Sequence, residues 1–133
     1  MPLARGTFEV QLAPLDPPDE TGDGNRLGRM SIDKSVTGDL QATTRGQMLS
    51  AMSATGGSAG YVAIERVTGT LHGRAGSFVL QHNGTMDRGA PTLAIHVVPD
   101  SGTGELAGLS GEFRLTIADG VHSYELEYAL AGA

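Results

Sequence analysis

Phe113-Arg114-Leu115-Thr116-Ile117-Ala118-Asp119-Gly120-Val121-His122-Ser123-Tyr124-Glu125-Leu126-Glu127-Tyr128-Ala129-Leu130 reads as two strands and a turn. Phe113, Leu115 and Ile117 alternate with Arg114 and Thr116, and Tyr124, Leu126, Tyr128 and Leu130 alternate with Glu125, Glu127 and Ala129. A period of two puts each apolar set on one face, because successive strand side chains point to opposite sides of the pleat. Ala118-Asp119-Gly120 supplies the turn between them, with Asp and Gly tolerating the positive φ of a tight hairpin.

The same alternation recurs upstream. Thr92-Leu93-Ala94-Ile95-His96-Val97-Val98 follows the break Asp87-Arg88-Gly89-Ala90-Pro91, and Ser77-Phe78-Val79-Leu80-Gln81-His82 precedes it. Tyr61-Val62-Ala63-Ile64-Glu65-Arg66-Val67 comes after the small-residue turn Ser53-Ala54-Thr55-Gly56-Gly57-Ser58. Leu40, Ala42 and Thr44 open a strand that runs to about Met52, and Met30, Ile32, Lys34 and Val36 share a face of the strand before it, across Thr37-Gly38-Asp39. Phe8, Val10 and Leu12 mark the first strand. The acidic Pro/Gly segment from Ala13 to Asn25 reads as a long loop and the most mobile connection, having little apolar surface to anchor it.

Eight sequential short strands with almost no helical periodicity imply an all-β fold in one domain, residues 1–133. A sandwich would satisfy the pattern, but an eight-stranded antiparallel up-and-down β-barrel removes the exposed edges, and the 20 Gly residues suit its bends.

Composition excludes several function classes. With no Cys there is no disulfide framework, thiolate metal site or cysteine nucleophile. A formal charge of −6 without a basic stripe would repel a phosphate backbone, so no nucleic-acid partner is expected. Met1-Pro2-Leu3-Ala4-Arg5-Gly6 lacks a signal peptide's apolar stretch and no run approaches the ~20 apolar residues of a membrane span. A cytoplasmic location without a membrane partner is the resulting expectation.

Gly102-Thr103-Gly104-Glu105-Leu106-Ala107-Gly108 is not a phosphate loop: it has the wrong spacing, no Lys and an anion-repelling Glu105. It reads as a tight connection with Gly at positive φ. Asn83-Gly84-Thr85 matches a glycosylation sequon with no secretory signal to make it meaningful. His72, His82, His96 and His122 form no compact metal motif, so no metal is expected.

Glu65 and His82 are the candidate catalytic residues. Glu65 lies in an apolar strand, where burial would raise its carboxyl toward general-base range; the competing reading is a solvent-facing Glu beside Arg66. His82 shares a face with Phe78 and Leu80, and His96 shares one with Ala94 and Val98, so both are expected to point into the barrel unless they are hydrogen-bonded core residues. Tyr61, on the face of Ala63 and Glu65, joins Phe78 and His96 as a candidate ligand contact.

Four stretches carry a family resemblance: Tyr61-Val62-Ala63-Ile64-Glu65; Gly73-Arg74-Ala75-Gly76-Ser77-Phe78-Val79-Leu80-Gln81-His82; residues 97–111 from Val97-Val98-Pro99-Asp100 to Gly108-Leu109-Ser110-Gly111; and His122-Ser123-Tyr124-Glu125-Leu126-Glu127-Tyr128. The chain resembles the bacterial domain of unknown function 3224 family over about residues 7 to 131, a family similar to the allene oxide cyclase barrel. That resemblance implies an eight-stranded antiparallel barrel, a cofactor-free cavity and assembly into dimers or trimers. It transfers no catalytic residue. Three functions remain in view: a cofactor-free isomerase or cyclase acting on a small hydrophobic molecule, a carrier or sensor of such a molecule, and a structural oligomer with a filled barrel.

Overall fold

Strand follows strand through a computed structural model that describes residues 2–131: β1 (Leu3–Pro14), β2 (Asp19–Glu20), β3 (Arg26–Gly38), β4 (Leu40–Met52), β5 (Ala59–Leu71), β6 (Arg74–Asp87), β7 (Ala90–Val97), β8 (Leu109–Ala118) and β9 (Val121–Leu130). From β3 to β9 each strand pairs antiparallel with the next, and β1 pairs with both β3 and β9, so the sheet closes on itself. The result is an eight-stranded barrel with the short β2 as an extra edge against β3. Among the described residues a single 3-10 turn, Gly104–Leu106, interrupts the strands.

Turn chemistry explains the tight connections. Asp119-Gly120, His72-Gly73 and Arg88-Gly89 each place two successive residues at positive φ, the geometry that matches strand twist in a two-residue hairpin. The β7–β8 connection is longer and crosses the foot of β6, where the Thr103 amide donates to the Ser77 carbonyl at 2.8 Å. β7 and β8 themselves meet at one pair, His96 opposite Glu112.

The segment after Leu12 departs from the single loop read in the sequence. Ala13 and Pro14 continue β1 opposite Ser31 and Met30, and Asp19 and Glu20 pair with Leu27 and Arg26. The Arg29 guanidinium reaches Asp16 at 2.7 Å, which draws the acidic stretch back along β3.

The two ends of the barrel differ. At the end holding the β3–β4 and β5–β6 hairpins, Leu40, Leu71, Phe78, Leu106, Leu109, Leu126 and Tyr128 form a dense plug. The Tyr124 hydroxyl fastens that end, accepting from the Leu40 amide at 3.0 Å and donating to the Thr37 carbonyl at 2.9 Å. At the opposite end the residues that continue the inward rows are not covered: Leu12 is 48 % exposed, Leu93 44 % and Ile117 61 %. The barrel is therefore filled below and open, with an apolar rim, above. No helix among the described residues is long and apolar enough to cross a membrane.

Candidate functional site

Between the plug and the open end lies a layer of buried polar side chains. Alternation on β5 turns Tyr61, Ala63, Glu65 and Val67 inward, and alternation on β6 turns Phe78, Leu80 and His82 inward, with His82 opposite Ala63. Lys34 enters from β3 and Thr44, its register partner, from β4. All four of Lys34, Thr44, Glu65 and His82 are buried, and Glu65 is completely so.

Glu65 is the hub. Lys34 Nζ donates to Glu65 Oε1 at 2.9 Å, His82 Nε2 donates to the same oxygen at 2.7 Å, and Thr44 Oγ1 donates to Oε2 at 2.9 Å. Thr44 Oγ1 in turn accepts the Lys34 backbone amide at 3.0 Å. Lys34 Nζ also sits 4.9 Å from the Phe8 ring centre and 5.5 Å from that of Phe113, so aromatic faces share its charge. No buried side-chain nitrogen or oxygen among the described residues lacks a partner.

Electrostatics follow from those contacts. Burial alone pushes the Glu65 carboxyl upward, as the sequence reading expected, but the His82 hydrogen bond and the Lys34 charge overcome it and hold the carboxyl at about 2. The expectation of a Glu65 poised as a general base is thus corrected: Glu65 is a fixed carboxylate. An ionised Glu65 requires the proton of His82 to sit on Nε2, which leaves Nδ1 facing the Tyr61 hydroxyl at 3.2 Å. Burial, and secondarily the Glu65 charge, push the Tyr61 hydroxyl up, so it keeps its proton.

Two glycines make this arrangement fit. Gly46 lies opposite Glu65, and a Cβ there would come 2.7 Å from Glu65 Cβ. Gly84 lies opposite Tyr61, and a Cβ there would come 2.6 Å from Tyr61 Cε1. The bare glycine surface is the seat of the Tyr61 ring, which is half-buried and faces the open end.

The structure brings together three of the five residues singled out in the sequence: Glu65, His82 and Tyr61. Phe78 points inward but packs in the plug, four residues along β6 from His82 and away from the open end. His96 is corrected outright: β7 turns Ile95 and Val97 inward, so His96 stands exposed on the outer face between Gln81 and Glu112. Lys34, Thr44, Gly46 and Gly84 were missed. A lysine inside the apolar row Met30-Ile32-Lys34-Val36 was the readable signal, since a buried cation implies a buried anion. No group of three or more His, Asp or Glu residues placed to hold a metal ion occurs among the described residues.

Fold and site define a closed antiparallel β-barrel with a neutralised ion-pair network beneath an open apolar end. The chain belongs to the family described as protein of unknown function DUF3224, whose profile matches residues 4–128. It is similar to a solved DUF3224 protein of unknown function from Shewanella oneidensis MR-1, with 48% sequence identity, a TM-score of 0.92 and 98% of each chain covered. No curated protein matches the chain.

Proposed function

We propose that this protein binds a small, mostly apolar, uncharged molecule at the open end of the barrel and moves a proton on it through Tyr61 and His82, as a cofactor-free isomerase or cyclase would. The observation that carries this reading is the exposure of the inward-facing rim, Leu12, Leu93 and Ile117, above a half-buried tyrosine backed by His82 and Glu65. Apolar surface with a convergent polar group is the chemistry of a small-molecule site.

Chemically, Tyr61 is the group a ligand meets. Its oxygen can take a proton from the ligand while its own proton passes to His82 Nδ1, and the imidazolium so formed faces the Glu65 carboxylate. Return of the proton to a different ligand atom completes an isomerisation with no net change in the protein. Glu65 and Lys34 act by holding His82 in one tautomer and orientation.

The hydrogen bonding of every buried side-chain nitrogen and oxygen among the described residues favours a second reading, a structural barrel whose network only fixes the fold. One pair of experiments separates them. Nile red, an uncharged dye, should bind the wild-type chain and lose at least tenfold in affinity with Ile117→Lys; equal binding by both sinks the site. Deuterium uptake α to the carbonyl of cyclic ketones in D2O should be faster with wild-type protein than with Tyr61→Phe. Dye binding without any such difference leaves a carrier or sensor, and neither effect leaves the filled structural barrel.

A further inference from the structure

The outer face of β4, β5 and β6 carries a feature that the barrel mouth does not use. Arg45 and Arg66 stand directly opposite each other across the β4–β5 ladder, both exposed on the outer surface. Like charges in that position repel. Arg5, Arg26, Arg29, Lys34 and Arg114 each pair with a carboxylate, whereas among the described residues Arg45 and Arg66, like Arg74 and Arg88, form no ion pair, although Asp33 stands opposite Arg45 on β3. This is so in a chain with 15 acidic against nine basic residues, where carboxylates are plentiful.

Beyond the arginine pair the same outer row turns apolar. Ile64 lies opposite Gln47, and Val62 lies opposite Leu49; Leu49, Val62 and Ile64 are all about half exposed. They line a groove of about 970 Å³ with Arg29, Gln47, Val79, Gln81 and Asn83 along its sides. That volume lies in the range of small-ligand sites. From Arg45 to Leu49 is four residues, or about 13 Å along a strand, roughly the reach of a ten-carbon chain. Arg29, beside Leu49 at the far end, is already paired with Asp16, and Asp33 stands across β3 from Arg45, so the positive charge with no carboxylate opposite it is centred on Arg66, at one end of the groove.

We propose that this face binds a linear amphipathic anion, with a carboxylate or phosphate headgroup between Arg45 and Arg66 and an alkyl tail along Ile64, Val62 and Leu49. Two guanidinium groups side by side suit an anionic oxygen headgroup, which removes their mutual repulsion on binding. The occupant is a free amphiphile rather than a lipid in an anionic bilayer, because a chain of net charge −6 is repelled by such a surface. The proposal is independent of the ligand at the barrel mouth.

Decyl phosphate, kept below the concentration at which it aggregates, tests the site by calorimetry and by amide shifts of the full chain. Saturable binding is expected, with shifts on the outer row of β4 to β6 and at least tenfold weaker binding of decanol. The Arg45→Gln/Arg66→Gln chain should lose at least tenfold in affinity while its urea midpoint stays at or above that of the wild type, since the substitution relieves repulsion. Absence of saturable binding, equal affinity for decanol, shifts centred on Tyr61 and Ile117, or binding only to vesicles of anionic lipid would each overturn it. The Nile red result with Ile117→Lys bears on the mouth alone, so the two sites fail separately.

Discussion

Replacing Lys34 by Met tests the buried network most directly. Lys34 Nζ is 2.9 Å from a carboxylate that has no exposure to solvent, and methionine keeps most of the side-chain volume while removing the charge. What remains is a buried Glu65 anion with only the His82 and Thr44 hydrogen bonds. Breaking a buried pair from one side costs about 3–5 kcal/mol, against a total stability of about 5–15 kcal/mol for a domain of ordinary size. Lys34→Met should therefore lower the free energy of unfolding by about 3 kcal/mol or more, read from urea denaturation at pH 7. Because the chain has no Trp, far-ultraviolet circular dichroism of the sheet is the probe. The second half of the test is Lys34→Met/Glu65→Gln, which leaves no charge buried, while the side-chain amide introduced in place of the carboxylate can still accept a hydrogen bond. The double variant should recover at least half of the loss. A single variant within about 1 kcal/mol of wild type, or a double variant as unstable as the sum of its parts, refutes the claim that Lys34 exists to neutralise Glu65.

The pH profile offers an independent check. The Glu65 carboxyl is held at about 2 in the folded chain against a reference of 4.5, so its contribution is present above pH 4.5 and is lost as pH falls toward 2. That loss is about 3 kcal/mol, and Glu65→Gln should flatten this part of a urea-midpoint profile. Tyr61→Phe removes the partner of His82 Nδ1 and should cost about 1 kcal/mol, with a larger effect on any proton-transfer activity than on stability. His96→Ala, on the outer face, should stay within about 0.5 kcal/mol of wild type by thermal unfolding and leave Nile red binding unchanged. Amide exchange should be fastest between residues 16 and 25, where β2 and the exposed Asp16–Arg29 and Glu20–Arg26 pairs are the main restraints; slow exchange throughout that stretch would contradict this.

The barrel was legible because every strand announces itself by a period of two and nearly every connection by Gly, and because closure is the simplest way to dispose of edges. Inward orientation was harder. For β6 the row Phe78-Leu80-His82 favoured one face, but β5 carries apolar residues on both, Val62-Ile64 and Ala63-Val67, so the side taken by Tyr61 and Glu65 stayed open. For β7 both rows are apolar, Ala94-Val98 and Leu93-Ile95-Val97, and a one-residue choice put His96 on the wrong side. The behaviour of Glu65 was unreadable for a different reason: burial and neighbouring charge shift a carboxyl in opposite directions, and Lys34 is 31 positions away in the chain. Phe78 shows the remaining limit, since alternation gives the face of a residue but not its height in a tilted barrel.

One strand carries a consequence for how the molecule is made. β1 is hydrogen-bonded on one side to β3 and on the other to β9, residues more than a hundred positions later. During synthesis the strands from β1 to β8 can pair as an open sheet, but its two edges find each other only through β9. Until then β1 and β8 offer unpaired backbone to any other strand in reach, as do all nascent chains of the same sequence on one message. Folding is thus governed by a contact of the longest loop in the protein, which makes it slow for its size. A chain stalled or cut before Val121 is left as an adhesive ribbon, prone to pair with its siblings.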